Sequence, residues 1–260
     1  MERQGQKVNI NTKGMGYSDA ALYLAHGDWE TRFYDEHETG YILLNKFYPV
    51  NTVLIRQLSA FIKEVQKKGY KNVIIDIREN SGGSGNNFDN LISLFTDKSS
   101  IPYLKEKYIR VSKYTQDSYK FLRAVEQGEL FRFEKKDFYS EFPTNPKKYQ
   151  GEMNYYILIS RNTGSVAASF ANIIQYNNLG KLVGEPLKHN ALYYGEVLPM
   201  GWKSRSNVET ISTVYMNEYT RSPDGQVYPD ISIPFVAEEF LEGDDPLVGK
   251  LLELIKVQLN

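Results

Sequence analysis

An apolar run, Tyr155-Tyr-Ile-Leu-Ile159, stops at the small polar turn Asn162-Thr-Gly-Ser165 and resumes with apolar residues at helical spacing: Phe170, Ile173 and Ile174, with Asn177 following less strictly. A buried strand that passes through so short a turn into a helix leaves little freedom in how the two pack. The junction puts Ser165 at a helix N-terminus, where unpaired backbone N–H groups and the positive end of the helix dipole stabilise an anion. Serine is also a common helix N-cap. On sequence alone both readings of Ser165 stand.

The same pattern occurs once more upstream. Lys71-Asn-Val-Ile-Ile-Asp76-Ile-Arg78 has the character of a buried strand and runs into Glu79-Asn80-Ser81-Gly82-Gly83-Ser84-Gly85, after which Phe88, Leu91, Ile92 and Phe95 recur at helical spacing. Adjacent glycines permit positive φ and let backbone N–H groups approach a ligand closely. Such a turn serves as an oxyanion or phosphate cradle, or as an ordinary tight turn. It carries neither the Gly-Lys-Ser/Thr of a P-loop nor the Gly-x-Gly-x-x-Gly of a dinucleotide site.

These junctions sit in an alternating α/β pattern. Residues 1–39 form a polar lead-in or short N-terminal strands, and residues 40–260 the core. Gly40–Asn45 is a strand, and Val53–Lys68 an amphipathic helix stopped by Gly69; the strand at Val73–Ile77 then implies a parallel crossover. Residues 97–150 mix aromatics with lysines around Pro102, Pro143 and Pro146. They read as a loop-rich insertion with one helix near Tyr119, Leu122 and Val125. Beyond the Ser165 helix the spacing predicts a strand at Lys181–Val183 and antiparallel strands at Tyr193–Leu198 and Glu209–Tyr215. A closing helix through Leu247, Leu251, Leu254 and Ile255 starts behind Asp244-Asp245-Pro246.

Composition excludes several functions. Thirty-one basic against 32 acidic residues give a net charge of -1, so neither nucleic acid nor an anionic membrane surface is an expected partner. The chain has no cysteine, hence no disulfide, thiolate nucleophile or Cys-based zinc site. No stretch approaches the ~18 apolar residues of a membrane span, and Met-Glu-Arg-Gln-Gly-Gln-Lys at the start lacks the apolar segment of a signal peptide. Neither a metal site nor a cofactor is indicated; Glu238-Glu239 and Asp244-Asp245 read as helix-start charges.

Taken together, the junctions resemble those of the S41 peptidases, the tail-specific or C-terminal processing proteases. The first family segment, Asp-x-Arg-x-Asn-x-Gly-Gly, is matched by Asp76-Ile-Arg78-Glu-Asn80-Ser-Gly82-Gly83. The second is matched by Thr163-Gly-Ser165-Val-Ala-Ala followed by Val183-Gly-Glu-Pro186. Tyr194-Gly-Glu-Val197, Pro229-Asp230-Ile231 and Gly243-Asp-Asp-Pro246 extend the resemblance over roughly Gly40–Ile255. It implies a crotonase-like (ClpP/crotonase-type) core, with Ser165 as nucleophile and Gly82 or Gly83 and the N–H of Val166 as the oxyanion hole. It also implies an extracytoplasmic location in a bacterium. Two positions depart from the family. The general-base lysine falls at Asn190, which cannot take a proton from serine at neutral pH, and the glutamine one turn later falls at Tyr194. Lys188 and His189 are the neighbouring candidates for the base; both are equally read as solvated loop residues. The Ser-His-Glu arrangement of some relatives would need His26 or His37. Residues 1–39 are too few for the family's usual PDZ domain.

Three functions follow. The first is a serine peptidase acting on peptide or unfolded-protein segments, including C-terminal ones. The second is a peptide-binding protein that has lost catalysis with the lysine. The third is an acyl-CoA enzyme of the wider fold, disfavoured by the lack of a basic cluster for a nucleotide phosphate.

Overall fold

The computed structural model describes residues 29–47, 52–83, 85–203, 208–234 and 245–259. Elements run in the order β1 (Trp29–Tyr34), β2 (Thr39–Leu44), α1 (Thr52–Lys67), β3 (Asn72–Asp76), α2 (Phe88–Ile92), β4 (Ser100–Pro102) and β5 (Leu104–Arg110). They continue with α3 (Lys113–Ser118), β6 (Leu130–Arg132), β7 (Glu141–Pro143), β8 (Asn154–Ile159), α4 (Ser165–Tyr176) and β9 (Lys181–Gly184). The last four are β10 (Leu192–Lys203), β11 (Val208–Glu218), β12 (Ile231–Ser232) and α5 (Pro246–Leu259).

Six strands form the main sheet in the order β1-β2-β3-β8-β9-β12, with every pairing parallel except β1 with β2. The two-residue period of a strand divides its side chains between two cores. Ile42, Val73, Ile75, Tyr155, Ile157 and Leu182 face α1, α2 and α4. Tyr41, Ile74, Tyr156, Leu158 and Val183 face α5. Buried on both faces, β3 and β8 are the continuous apolar runs seen in the sequence. The layered, parallel-rich α/β architecture is the crotonase-like one expected.

Local boundaries follow from caps. α1 buries Val53, Leu54, Leu58, Phe61, Ile62 and Val65. It ends in a Schellman turn, with Gly69 at φ +81 donating to Gln66 O and Tyr70 to Val65 O. The helix expected through Phe95 stops at Ile92; Leu94 and Phe95 stay in the core through two successive turns. In the insertion, the helix lies earlier than expected. A capping box between Ser112 and Thr115 starts α3, extended Tyr119 ends it, and Leu122 sits in a following 3-10 turn at Lys120–Ala124.

β10 and β11 form the predicted antiparallel pair, within a separate four-stranded sheet ordered β10-β11-β5-β6. Ile109, Val111, Leu122 and Val214 make its own small core. β4 pairs with β7 beside it. Among the described residues no helix is long and apolar enough to cross a membrane.

Candidate active site

The two junctions leave the carboxyl ends of adjacent parallel strands β3 and β8, which is where open α/β sheets place their ligands. Side chains stitch the two turns together. Thr163 Oγ1 donates to Ile77 O at 2.9 Å, Ser160 Oγ to Arg78 O at 2.6 Å, and Gly164 N to Asn80 O at 3.0 Å.

The charged and amide side chains of the first segment are braces. Asp76, 1% exposed, accepts the Tyr41 hydroxyl at 2.8 Å and the Arg78 guanidinium at 2.6–3.1 Å. The other side of that guanidinium grips Asp245 at the start of α5. Burial acts against the Asp245 carboxylate, but the Arg78 hydrogen bonds and charge, with the N–H groups of Val248 and Leu247, hold its pKa below the ordinary range. Asn80, fully buried, donates to Leu44 O at 2.9 Å and accepts the Gly82 N–H at 2.9 Å. Asp76, Arg78 and Asn80 therefore shape the glycine turn rather than reach into it.

Ser165 is not an N-cap. That position belongs to Gly164, and Ser165 is the first helical residue with φ +49, a left-handed conformation that serine adopts only when its surroundings impose it. The residue is exposed at the helix start, and among the described residues its hydroxyl has no hydrogen-bond partner. Gly82, at φ +109, lies directly alongside: a Cβ there would stand 2.6 Å from the Ser165 Cβ and 2.9 Å from Gly164 O. Val166 N–H, in the first turn of α4, has no carbonyl one turn back to bond. The structure thus brings Ser165, Gly82, Gly83 and Val166 into one place.

The candidate bases separate. Lys188 is exposed. His189 is half-buried: its ring lies 4.5 Å from that of Tyr193, its Nε2 is buried without a partner, and desolvation lowers its pKa below 6.5. No hydrogen bond joins either residue to Ser165 among the described residues. Asn190 is structural, donating to Asp224 O at 3.2 Å and accepting Leu192 N at 2.8 Å. His37 precedes β2 at the opposite end of the sheet, against Glu253 of α5, so it takes no part here. His26, Ser84, Glu238, Glu239 and Asp244 lie outside the described residues.

One residue beyond the sequence reading belongs to this neighbourhood. Glu218, fully buried at the end of β11, accepts Ser169 Oγ at 2.5 Å, Tyr193 OH at 3.0 Å and Asn172 Nδ2 at 2.9 Å. Ser169 is one helical turn from Ser165, and the Tyr193 ring packs at a 56° tilt against that of His189, so Glu218 ties α4 to the loop bearing the histidine. Desolvation raises its pKa, and the Ser169, Asn172 and Tyr193 hydrogen bonds offset only part of that. Its position was legible in parity: Val214, Met216 and Glu218 share one face of a strand whose other members there are apolar.

The raised Glu218 pKa has a definite sign. Its contribution to stability is complete below the unfolded value of ~4.3 and declines as pH rises through the folded value. Glutamine reproduces the shape and can bond both hydroxyls and Asn172. Glu218→Gln should therefore unfold at pH 7.5 at a denaturant midpoint no lower than the parent, whereas Glu218→Ala should lose about 3 kcal/mol. A Gln variant as unstable as the Ala variant would overturn this account.

The site is thus a strained serine at a strand-to-helix turn of an α/β fold, faced by a glycine turn. The profile of Peptidase family S41 matches residues 38–233, and the chain belongs to that family. No curated protein matches the sequence significantly. Among solved structures, mature CPAF is 17% identical with a TM-score of 0.52, covering 83% of this chain and 52% of its own. A protein described as a peptidase, from Parabacteroides merdae ATCC 43184, is 16% identical with a TM-score of 0.56, covering 91% of this chain and 68% of its own. An S41-type protein from Bacteroides fragilis NCTC 9343 is 17% identical with a TM-score of 0.50, covering 87% and 56%. The chain thus spans about half of mature CPAF and about two thirds of the Parabacteroides protein. At these identities the likeness is one of fold.

Proposed function

We propose that the chain is a serine peptidase that hydrolyses peptide bonds in unfolded or C-terminal protein segments. The observation that carries the reading is Ser165, held at positive φ with an unspent hydroxyl against the Gly82 turn. In this mechanism Ser165 Oγ attacks the scissile carbonyl carbon while a base takes its proton. The resulting oxyanion is met by the N–H groups of Val166 and Gly83, preorganised donors of the kind that supply much of acyl-transfer catalysis. Gly82 contributes space, since its own N–H is committed to Asn80. The proton passes to the leaving amine, and water then releases the acyl group from Ser165.

His189 is our choice of base over Lys188. Desolvation keeps its imidazole neutral at physiological pH, its Nε2 is unpaired, and Tyr193 connects it to the helix that carries Ser165. A neutral histidine with a pKa below 6.5 predicts a kcat/KM that rises with pH to a plateau, with the acid limb centred below 6.5. His189→Gln should cut the plateau by roughly 10²- to 10⁴-fold. An acid limb centred above 8, or full activity in His189→Gln, would assign the base elsewhere.

A second reading, a peptide-binding protein without turnover, is favoured by one observation: Asn190 occupies the family's lysine position and is bound into the 222–226 loop. Peptide binding that survives Ser165→Ala, with no hydrolysis by either form, supports it.

A further inference from the structure

The four-stranded sheet has one face closed by its own small core and one face open. Across the open face runs an in-register row, one residue per strand: Tyr194 on β10 opposite Tyr215 on β11, Tyr215 opposite Tyr108 on β5, and Tyr108 opposite Arg132 on β6. Ring centroids are 5.4 Å apart for Tyr194 and Tyr215 and 6.1 Å for Tyr215 and Tyr108, and the Arg132 guanidinium lies 5.8 Å from the Tyr108 ring. None of the three tyrosines belongs to a hydrophobic core cluster, and Tyr194 is 62% exposed. Arg132 keeps 66% of its side chain exposed while pairing with Glu106 at 2.9 Å.

We infer that this row is a docking surface for an extended stretch of unfolded polypeptide that carries aromatic or proline side chains and a carboxylate at the Arg132 end; the inference rests on the peptidase reading above.

Three observations select that occupant. The rings are tilted by 58° and 49° rather than coplanar, which makes notches for inserted side chains and not the flat platform that sugars or stacked bases need. Their spacing is close to the ~6.7 Å between alternate side chains of an extended chain. The row also ends at the strand that touches the candidate active site: β10 is the edge strand of its sheet, and its Tyr193, on the opposite face from Tyr194, meets Ser169 of α4. The charge agrees. On the row itself the cation is Arg132, which keeps most of its side chain exposed although Glu106, which also accepts the Tyr108 hydroxyl at 2.9 Å, pairs with one side of it. Strand spacing of ~4.8 Å makes the row about 14 Å long, room for four or five extended residues.

The test measures binding alone, so it does not depend on turnover. A fluorescein-labelled peptide of about twelve residues, alternating Pro and Tyr and ending in Glu, is titrated into the full chain carrying Ser165→Ala, with a Gly-Ser peptide of equal length as control. We expect the Pro/Tyr peptide to bind at least tenfold more tightly than the control. Tyr194→Ser with Tyr215→Ser should abolish that difference, Tyr194→Phe with Tyr215→Phe should keep it, and Arg132→Gln should weaken binding only of the Glu-ended peptide. Equal binding of both peptides, or no change in the Ser pair at an unaltered melting temperature, overturns the proposal. Displacement of the peptide by a soluble glucan or by oligo-dT, with tighter binding of either, overturns it in favour of that ligand. Failure of the peptidase reading shows separately, as absence of hydrolysis by the unsubstituted chain.

Discussion

Ser165→Ala is expected to abolish hydrolysis of an unfolded protein substrate, lowering kcat by roughly 10³- to 10⁶-fold, the range that removal of a catalytic serine gives when the rest of the site is intact. The melting temperature should not fall. The residue carries φ +49, and its hydroxyl makes no hydrogen bond among the described residues, so the folded state loses no contact with it. Alanine is no easier to hold at that φ than serine, so the backbone strain remains unchanged. The measurement is a comparison of both forms on a denatured protein and on peptides with free C-termini. Residual activity equal to that of the unsubstituted chain would show that another group is the nucleophile. Inactivity of both forms would leave the cleft as a binding site.

Arg78→Ala is expected to have the largest effect on stability, a loss of about 3–5 kcal/mol at neutral pH, or roughly 10 °C in melting temperature. The guanidinium is the common partner of two carboxylates, and removing it leaves buried Asp76 and partly buried Asp245 without a cation. The pH dependence follows from Asp245, whose folded pKa is depressed. Its contribution is present above the unfolded value of ~3.9 and is lost as pH falls through the folded value, so in the parent this term disappears only below pH 4. Without Arg78 that acid transition should vanish and the two forms should converge in stability at low pH. Arg78→Ala with Asp76→Asn should recover part of the loss, because one buried charge is then gone. A change under 1 kcal/mol for Arg78→Ala would mean that water compensates both carboxylates.

Much of the main fold was legible because parallel strands buried on both faces leave uninterrupted apolar runs, and Asn154–Ile159 and Asn72–Asp76 are such runs. The Ser165 and Gly82-Gly83 junctions were legible for the same reason: a small polar turn between two apolar periods is local information. Partnership across the chain was not. Asn80 reads as one more polar residue in a glycine loop, and only the fold shows it holding Leu44, Gly82 and Gly164 together. His189 reads as a loop residue beside Lys188, yet it packs against the Tyr193 ring and is half-buried. Glu218 lies fifty-three residues beyond Ser165, and no local pattern links it to Ser169. The insertion was least legible because its strands are three to seven residues long and β5 finds its long-range partner, β11, more than a hundred residues further on, with Ile109 opposite Val214.

The clamp on Arg78 also has a temporal side. A chain leaves the ribosome N-terminus first, so the Ser165 turn is synthesised eighty residues ahead of Asp245, and the glycine turn earlier still. Until α5 docks, Arg78 holds one carboxylate instead of two, and the face of the sheet formed by Tyr41, Ile74, Tyr156 and Leu158 is uncovered. The turn beside Ser165 therefore gains its second carboxylate anchor only when α5 docks.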